Sequence, residues 1–434
     1  MARNVRRRPV LGVTILCGLV ALGPPGQAAE PPGGGRVSVD DLVARALADN
    51  PELKATRTEI DAAKGRVRQA GLRPNPMLDL GGSKNVTGPD NMQMVGLTWP
   101  LDLGGRKDAR VSVATQELSV RHALVEDHER RLAAEVRMKA GEALAAARNL
   151  RVTDELMTAT RELEKLVKQR VAAGATPPLD AQLLLVELTR LEAQRAGQAG
   201  RLDGLRFQLM PLIGQPPAAP PGISDRLEER LTIPDHAEAQ ERALKARPDL
   251  RMANFGRQLA EARVEKERAD GRYDAGLFGQ YQRQDTGFDL MGINGAGRLQ
   301  PIMDVFHMVT FGVSITLPVR NRNQGNIAAA QAELEGADQR RQATELLVRQ
   351  EVETAYAQYD ATRRAEKIYS AQVLGTARRN LDVIRQSYTL GRGTLLDVIA
   401  EQRRLIELEM GYTDVLKERW DAAVEVQRAV GFVR

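Results

Sequence analysis

Large core side chains are scarce in this chain. Only 4% of its 434 residues are aromatic, and it contains a single cysteine, 38 glycines and 21 prolines. Hydrophobic residues nevertheless reach 42%, many of them Ala and Leu, and 27% of the residues are charged. The apolar content excludes intrinsic disorder. The composition favours long packed helices over a deep globular core.

The first 29 residues have the pattern of a secretory signal peptide. They contain four arginines and no acidic residue, then an apolar run, and small residues before a cleavage site near Ala28 or Ala29. The only cysteine, Cys17, follows Leu16, where a lipoprotein signal has a small residue, so lipidation is not expected. The mature chain, with a short tail at residues 30–36, then has no cysteine for disulfides or thiol chemistry.

Little net charge remains after this segment. The full chain has a formal charge of +5, and removing the four arginines of residues 1–29 leaves +1. No basic surface is implied, and no nucleic-acid partner is expected. No later stretch reaches the roughly 18 apolar residues of a membrane-spanning helix, so any membrane insertion must use strands.

The rest of the chain consists of two copies of one unit. Three motifs occur twice, at offsets of 197, 218 and 217 residues, which places an insertion of about 21 residues within the Gly-rich stretch 285–306 of the second copy. The predicted copies are residues 37–214 and 236–434, and a Pro-rich connector, 215–235, is expected to form an irregular collar against the helices. The motifs are Pro51-Glu52-Leu53 with Pro248-Asp249-Leu250, Val95-Gly-Leu-Thr-Trp-Pro100 with Val313-Ser-Ile-Thr-Leu-Pro318, and Gly174 and Leu179-Asp180 with Gly391 and Leu396-Asp397.

Each copy is predicted to contain a helix, two strands, a very long helix, a tight turn and a returning helix. No proline interrupts residues 106–173, and apolar residues recur there at helical spacing. Such a helix would be roughly 100 Å long. Its length indicates coiled-coil packing between neighbouring helices. The turns are expected at 174–180 and 391–397, and the second long helix at about 327–390.

Alternation of apolar and polar residues predicts four strands, at about 77–83, 92–101, 275–282 and 308–319. In the last strand, odd residues from 309 to 317 are large and apolar, and even ones are small or polar. Lengths near ten residues fit transmembrane strands. The even face is expected to line a water-filled lumen through Thr310, Gly312, Ser314 and Thr316.

Four strands cannot close a barrel, and an open sheet edge is not tolerated in lipid. Several chains must therefore share one barrel, and three chains would supply about 12 strands. The helices would close into a tube with the same symmetry. The predicted fold class is mainly α with a small β part: a twofold internal repeat, a coiled-coil α-barrel and a trimeric 12-stranded β-barrel.

With these features the chain resembles the TolC-like outer-membrane efflux channels, from about residue 37 to residue 432. Residues 318–326, with the order Asn-Arg-Asn-Gln-Gly inside them, resemble the heavy-metal cation branch of that family, although they equally suit a plain strand-to-helix turn. The family marks are the duplicated Pro-Glu/Asp-Leu helix start, Pro100-Leu-Asp-Leu-Gly-Gly-Arg106, and Tyr388-x-x-Gly391-x-x-x-x-Leu396-Asp397.

The resemblance implies a homotrimer with its β-barrel in the bacterial outer membrane and its α-barrel in the periplasm. The hairpin tips would dock a periplasmic adaptor (membrane fusion) protein bound to a proton-driven inner-membrane RND pump. The chain would be a passive exit duct in this tripartite system, for heavy-metal cations by the branch resemblance. The same fold serving multidrug efflux or type I protein secretion is the main alternative, and a soluble periplasmic coiled-coil scaffold is another.

Gate residues in the resembled family lie just after the tip turns. Carried over, they fall on Asp180 and Asp397, each of which would form a ring of three carboxylates in a trimer. Gly393 stands where the family has an Arg partner, and Ala400 where it has a second Asp. The adjacent Arg392 and Glu401 are the candidate substitutes. An acid at a helix start is also favoured by the helix dipole alone.

The hairpin tips are the predicted adaptor contact. Gly174 and Gly391 end helices there, so their primary role is conformational. The predicted contact set is Val171, Gly174, Ala175, Tyr388, Gly391 and Thr394.

Neither a metal site nor an enzyme is expected. The four histidines are scattered, and no His-x-x-His or Glu-x-x-His spacing occurs. Four methionines flank the strands, where they suit apolar filling better than binding of soft Cu(I) or Ag(I). No nucleophile with a base and an orienting acid can be assembled, and no cofactor is expected. The methionines are Met92, Met94, Met303 and Met308.

Overall fold

The computed structural model describes residues 36–433. The predicted signal peptide at 1–29 lies outside the described residues, as does the 30–36 tail except for Arg36. The described part is mostly helical and contains one four-stranded antiparallel sheet and one short parallel strand pair.

The first half begins with local capping signals that define its helix starts. Ser38 and Asp41 form a capping box at the first helix, and the Asn50 side chain caps the second, which has Pro51 in its first turn. The elements are β1 (Arg36–Val37), α1 (Val39–Asp49), α2 (Pro51–Ala70), β2 (Met77–Lys84), β3 (Asn91–Pro100), α3 (Arg106–Ala172) and α4 (Pro178–Leu212).

The second half repeats this order with two changes. Its strands are longer, and its long helix is interrupted by a six-residue π-helical segment, Tyr369–Leu374. The elements are β4 (Gly222–Ile223), α5 (His236–Ala246), α6 (Pro248–Asp270), β5 (Asp274–Ile293), β6 (Leu299–Thr316), α7 (Gln324–Ile368), α8 (Gly375–Thr389) and α9 (Leu395–Val430).

The β5–β6 hairpin differs from the sequence prediction. The strands have 20 and 18 residues, so the Gly-rich insertion extends the hairpin, and the predicted strands at 275–282 and 308–319 are too short or displaced. Of the glycines in this stretch, Gly295 and Gly297 lie in the turn, and Gly297 has φ 73°. Gly287 instead allows close approach, since an added Cβ would lie 2.3 Å from Cγ of Pro89.

Arg106 joins the two copies where strands meet helices. Gly104 and Gly105 turn the chain with φ 79° and 80°, and α3 begins directly after them. The Arg106 guanidinium then donates to Oδ2 of Asp274 at 2.6 Å and to the Arg272 carbonyl at 2.8 Å. The exit of β3 is thereby fastened to the entry of β5.

Each half has its own apolar core around the middle of the long helices. The first core packs α1 and α2 on α3 and α4, and the second packs α5 and α6 on α7 and α9. Between them, Trp420 of α9 lies against α3 and donates its indole N–H to the Arg137 carbonyl at 2.9 Å. Gly141 makes this approach possible, because an added Cβ would lie 2.5 Å from the indole.

The Pro-rich connector runs across these helices. Its β4 pairs in parallel with β1, and Leu227 is buried against α3 and α9. The Arg419 guanidinium donates to the carbonyls of Leu227 and Glu229, both at 2.8 Å. The connector is therefore held by hydrogen bonds as well as by apolar packing.

Candidate functional site: the sheet faces and the hairpin tips

The four-stranded sheet has the order β2-β3-β5-β6, with β2 and β6 at its edges. One register row places Leu78, Leu97, Gly279 and Phe311 side by side, and the adjacent row places Asp79, Gly96, Gln280 and Thr310 together. Because successive residues point to opposite faces, the sheet has one apolar and one polar face. Large side chains of the apolar face are exposed in the single chain, as Phe311 is at 83%.

Three of the four predicted lumen positions lie open on the polar face. Thr310 pairs with Gln280, and Ser314 pairs with Gly276. Gly312 lies opposite Phe278, whose ring occupies the space of a Cβ, with Cζ only 2.7 Å away. The Phe278 ring therefore covers the polar face at Gly312, and no open surface of small residues is left there.

The two hairpin tips have the same backbone turn. Gly174 and Gly391 have φ 70° and 72°. In each tip, the N–H of the following residue donates to the carbonyl five positions earlier, at 2.8 Å and 2.9 Å, which is a Schellman turn. An added Cβ would have no neighbour within 4 Å at either glycine. Glycine is required there for its conformation and not for space.

Asp180 and Asp397 occupy equivalent positions but make different bonds. Oδ2 of Asp397 accepts the backbone N–H and the hydroxyl of Thr394, at 3.1 Å and 2.7 Å, which completes a capping box. These hydrogen bonds hold the pKa of Asp397 below its ordinary value. The equivalent cap in the first copy is Pro177, which has neither N–H nor hydroxyl. Asp180 instead accepts the Tyr388 hydroxyl at 3.4 Å.

Tyr388 is buried, so its predicted adaptor contact is corrected. Its side chain packs among Val167, Leu184 and Leu395, and only 6% of the residue is exposed. Burial and then the Asp180 carboxylate raise its pKa. The residue joins the two hairpins of one chain, because its ring lies on the inward face of α8.

The other predicted contact residues remain at the tip surface, except that Val171 is half-buried. Gly174, Ala175, Gly391 and Thr394 are exposed. Three exposed leucines surround them and were missed by the sequence analysis, which weighed only the turn motif. They are Leu179, Leu390 and Leu396.

Arg392 and Glu401 do not form the substitute ionic lock within one chain. Arg392 is exposed at the tip, and Glu401 is half-buried on α9. Within residues 36–433, neither takes part in an ion pair. Their role at the gate of a trimer stays a prediction.

A different carboxylate links the hairpins near the tips. Glu187 of α4 is only 2% exposed and accepts hydrogen bonds from Arg403 of α9 and from Arg190, both at 2.6 Å. Burial opposes ionisation of Glu187, but the bonds from Arg190 and Arg403 outweigh it and lower the pKa. The sequence signal was a lone acid inside the apolar run 183–188.

A second buried charge cluster lies farther from the tips. Nη2 of Arg148 on α3 donates to Glu409 of α9 at 2.9 Å, and its Nη1 donates to Thr413 at 2.6 Å. Nε of the same residue donates to Glu228 of the connector at 3.0 Å. Arg378 of α8 donates to the other oxygen of Glu409 at 2.6 Å. One carboxylate therefore joins α3, α8 and α9.

The Asn-Arg-Asn-Gln-Gly stretch forms the turn between β6 and α7. Asn323 has φ 62°, and its amide donates to the carbonyl and carboxylate of Glu267, at 2.9 Å and 2.7 Å. The Asn323 N–H donates to Oδ1 of Asn321 at 3.0 Å. Gly271 is needed opposite, because an added Cβ would lie 2.4 Å from the Arg322 carbonyl oxygen. Local turn chemistry therefore accounts for the motif.

No described helix is long and apolar enough to cross a membrane. Residues 36–433 also contain no group of three or more His, Cys, Asp or Glu side chains arranged to hold a metal ion.

Two curated proteins resemble the chain over most of their length. The cobalt-zinc-cadmium resistance protein CzcC of Cupriavidus metallidurans is 24% identical over 405 residues, covering 92% of this chain and 90% of CzcC. The outer membrane protein OprJ of Pseudomonas aeruginosa is 26% identical over 415 residues, covering 90% of this chain and 83% of OprJ.

Solved structures show the same fold, and a family profile identifies it. Crystal structures of CusC, concerned with transmembrane channel formation, superpose with a TM-score of 0.73 at 18% identity, over 92% of this chain and 93% of that one. The outer membrane efflux protein profile matches residues 42–214 and 239–431, one segment in each half. The chain therefore belongs to the outer membrane efflux protein family.

Proposed function

We propose that this outer-membrane efflux channel is the exit duct for heavy-metal cations, delivered by an inner-membrane RND pump and a periplasmic adaptor. The observation that supports heavy-metal cations as the cargo is the similarity to the cobalt-zinc-cadmium resistance protein, over 92% of this chain and 90% of that protein. The Asn-Arg-Asn-Gln-Gly turn adds no weight, because its side chains are used locally.

The working unit is a trimer. The edges β2 and β6 are free in one chain, and the large residues on one sheet face are exposed. Pairing β6 of one copy with β2 of the next would satisfy the edge groups, which lipid does not tolerate unpaired. The apolar face then meets lipid, and the polar face, with Gln280, Thr310 and Ser314, surrounds the solute. This duct is wet there, and the Asp79 carboxylate shares the row of Gln280 and Thr310. Selection belongs to the pump.

The closed state is held by links between the two hairpins of each chain. Glu187 with Arg403 and Asp180 with Tyr388 both join α4 to the α8–α9 hairpin. Asp397 serves as a helix cap, and it acts at the gate only through the position it gives to α9. Separation of the hairpins must break a buried ion pair, so opening requires work from the docked partners.

The cargo is tested by growth inhibition of the host with and without the gene. The panel contains Zn, Co, Cd, Ni, Cu and Ag salts beside dyes and antibiotics. We expect deletion to sensitise the host to cations alone, and the wild-type gene to restore tolerance. Sensitivity to organic compounds alone would reassign the channel to multidrug efflux. Unchanged growth on the whole panel would favour protein secretion, which culture-supernatant proteomics would then detect.

The docking role is tested by photocrosslinking at the tip leucines. A photoreactive residue at Leu179 or Leu396 is expected to yield adducts with the periplasmic adaptor, because both side chains are about 60% exposed. The matched control is Glu241 on α5, which is equally accessible but far along the chain from both tips. Adducts from Glu241 alone would place docking at α5 and not at the tips.

A further inference from the structure

A cavity of about 270 Å³ lies where the connector crosses the groove between α3 and α4. Four arginines from separate parts of the chain line it: Arg36 of β1, Arg151 of α3, Arg206 of α4, and Arg226 just after β4. The cavity therefore brings together guanidinium groups that are far apart in sequence.

Asp225, the only carboxylate that residues 36–433 contribute to the cavity wall, is already engaged. Oδ2 of Asp225 accepts the backbone N–H of Val39 at 2.9 Å, and its Oδ1 accepts the Ser224 hydroxyl at 3.0 Å. Four guanidinium groups and one carboxylate leave the wall with a formal charge of +3. Arg36, Arg151 and Arg226 are exposed and Arg206 is half-buried, so a dissolved anion can reach the guanidinium groups.

Few carboxylates of the described chain lie close enough to these arginines to neutralise their charge. Within residues 36–433, Arg36, Arg151 and Arg226 have no carboxylate within 4.0 Å, and Arg206 has only Asp203 at 3.6 Å on its own helix. Nε of Arg206 is buried without a hydrogen-bond partner. By contrast Arg148, one turn from Arg151, bonds two carboxylates. What is particular to this cavity is that four arginines with little or no carboxylate contact line one wall.

We propose that this cavity binds a small polyvalent oxyanion that carries carboxylate or phosphate groups. Guanidinium groups match such groups with paired N–H donors. The volume suits a small organic acid or an oligophosphate. A bound anion would bridge the connector to α3 and α4 and neutralise the wall. The site repels cations, so it is separate from the proposed metal cargo.

The binding test uses the full-length protein purified in detergent. Citrate and pyrophosphate are titrated calorimetrically at constant ionic strength, so that the two arms separate carboxylate from phosphate chemistry. We expect one saturable site per chain for at least one of them, and a rise in the unfolding midpoint with ligand concentration. Absence of saturable binding by both probes would overturn the proposal.

The residues are tested with Arg151→Gln and Arg206→Gln, singly and together. Each loss of a charged donor should weaken binding about tenfold or more. The control Arg201→Gln removes an arginine of the same helix that lines a different cavity, and it should bind as the wild type does. Equal weakening by Arg201→Gln would show general charge attraction and overturn the site. Light scattering provides the second readout, the oligomeric state of the variants. If the wild type binds neither anion and the arginine variants no longer form trimers, carboxylates of a second copy fill the cavity, and the proposal is overturned.

Discussion

The two halves of this chain share one plan but differ in their long helices. In the first half, α3 runs unbroken for 67 residues, whereas in the second half α7 and α8 are separated by the π-helical segment Tyr369–Leu374. Tyr369 stacks on Tyr412 of α9 at 6.4 Å between ring centroids. A π segment inserts an extra residue into a helical turn. The second half therefore has a local irregularity in its long helix, packed against α9, that the first half lacks.

The halves also differ in how they use the same acid. Asp397 caps its own helix, but Asp180 accepts a bond from the other hairpin. Two positions cause the difference. Thr394 offers a hydroxyl and an N–H where Pro177 offers neither, and Tyr388, which donates to Asp180, stands where the first copy has Val171. The two copies therefore share the turn, but their acids make different contacts.

The largest effect is expected from breaking the charge cluster that joins the halves. Arg148→Ala leaves the buried Glu409 with Arg378 as its remaining cation, and we expect a loss of about 3 kcal/mol in the free energy of unfolding. Denaturant unfolding in detergent measures it. The control Arg161→Ala removes an exposed pair with Glu192 and should cost below about 1 kcal/mol. Equal losses would mean that burial of the cluster is unimportant.

The next effect compares the two tip turns. Gly174→Val and Gly391→Val each force a β-branched residue into a left-handed conformation, at a cost of about 1–2 kcal/mol. We expect similar destabilisation in both, with trimers still forming and export lost in the Gly391→Val channel. Gly197→Val on the exposed side of α4, where an added Cβ meets nothing within 4 Å, is the control. Normal export from the Gly391 variant would contradict this prediction.

The capping box of the second tip is expected to contribute less. Thr394→Ala should cost about 1 kcal/mol, and Thr394→Ser should keep most of the bond. Because the pKa of Asp397 is lowered in the folded chain, its contribution is present above the ordinary pKa and is lost as the pH falls through the folded value. Unfolding at several acidic pH values measures the difference in stability between the wild type and Thr394→Ala. A difference that grows in acid would refute the role of Asp397 in the capping box.

The smallest effect is expected from Tyr388→Phe, because the bond to Asp180 is long. We expect a loss of about 0.5–1 kcal/mol that disappears when Asp180 is replaced by Ala. The raised pKa of Tyr388 means that the neutral phenol contributes below its ordinary pKa, and this contribution is lost as the pH rises through the folded value. A double-mutant cycle measures the coupling, and zero coupling would remove this link from the gate.

Local patterns in the sequence predicted much of the architecture but missed part of the site. The absence of proline indicated α3, and the alternation around Val313 indicated which sheet face is apolar. The extent of the β5–β6 hairpin was missed, since the sequence analysis placed residues 285–306 in an insertion and not in the strands. The buried Glu187 was also missed, because its partner Arg403 lies 216 residues away.

The sequence by itself determined the duplication, the long helices, the tip glycines and the two-faced strands, because each depends on periodicity or on the backbone preference of one residue type. Only the tertiary structure decided that Tyr388 is buried, that Asp180 and Asp397 make different bonds, and that Glu187 and Arg148 join the hairpins. These features depend on which side chains pack against each of these residues. The packing partners come from segments distant in sequence, so only the folded chain brings them together.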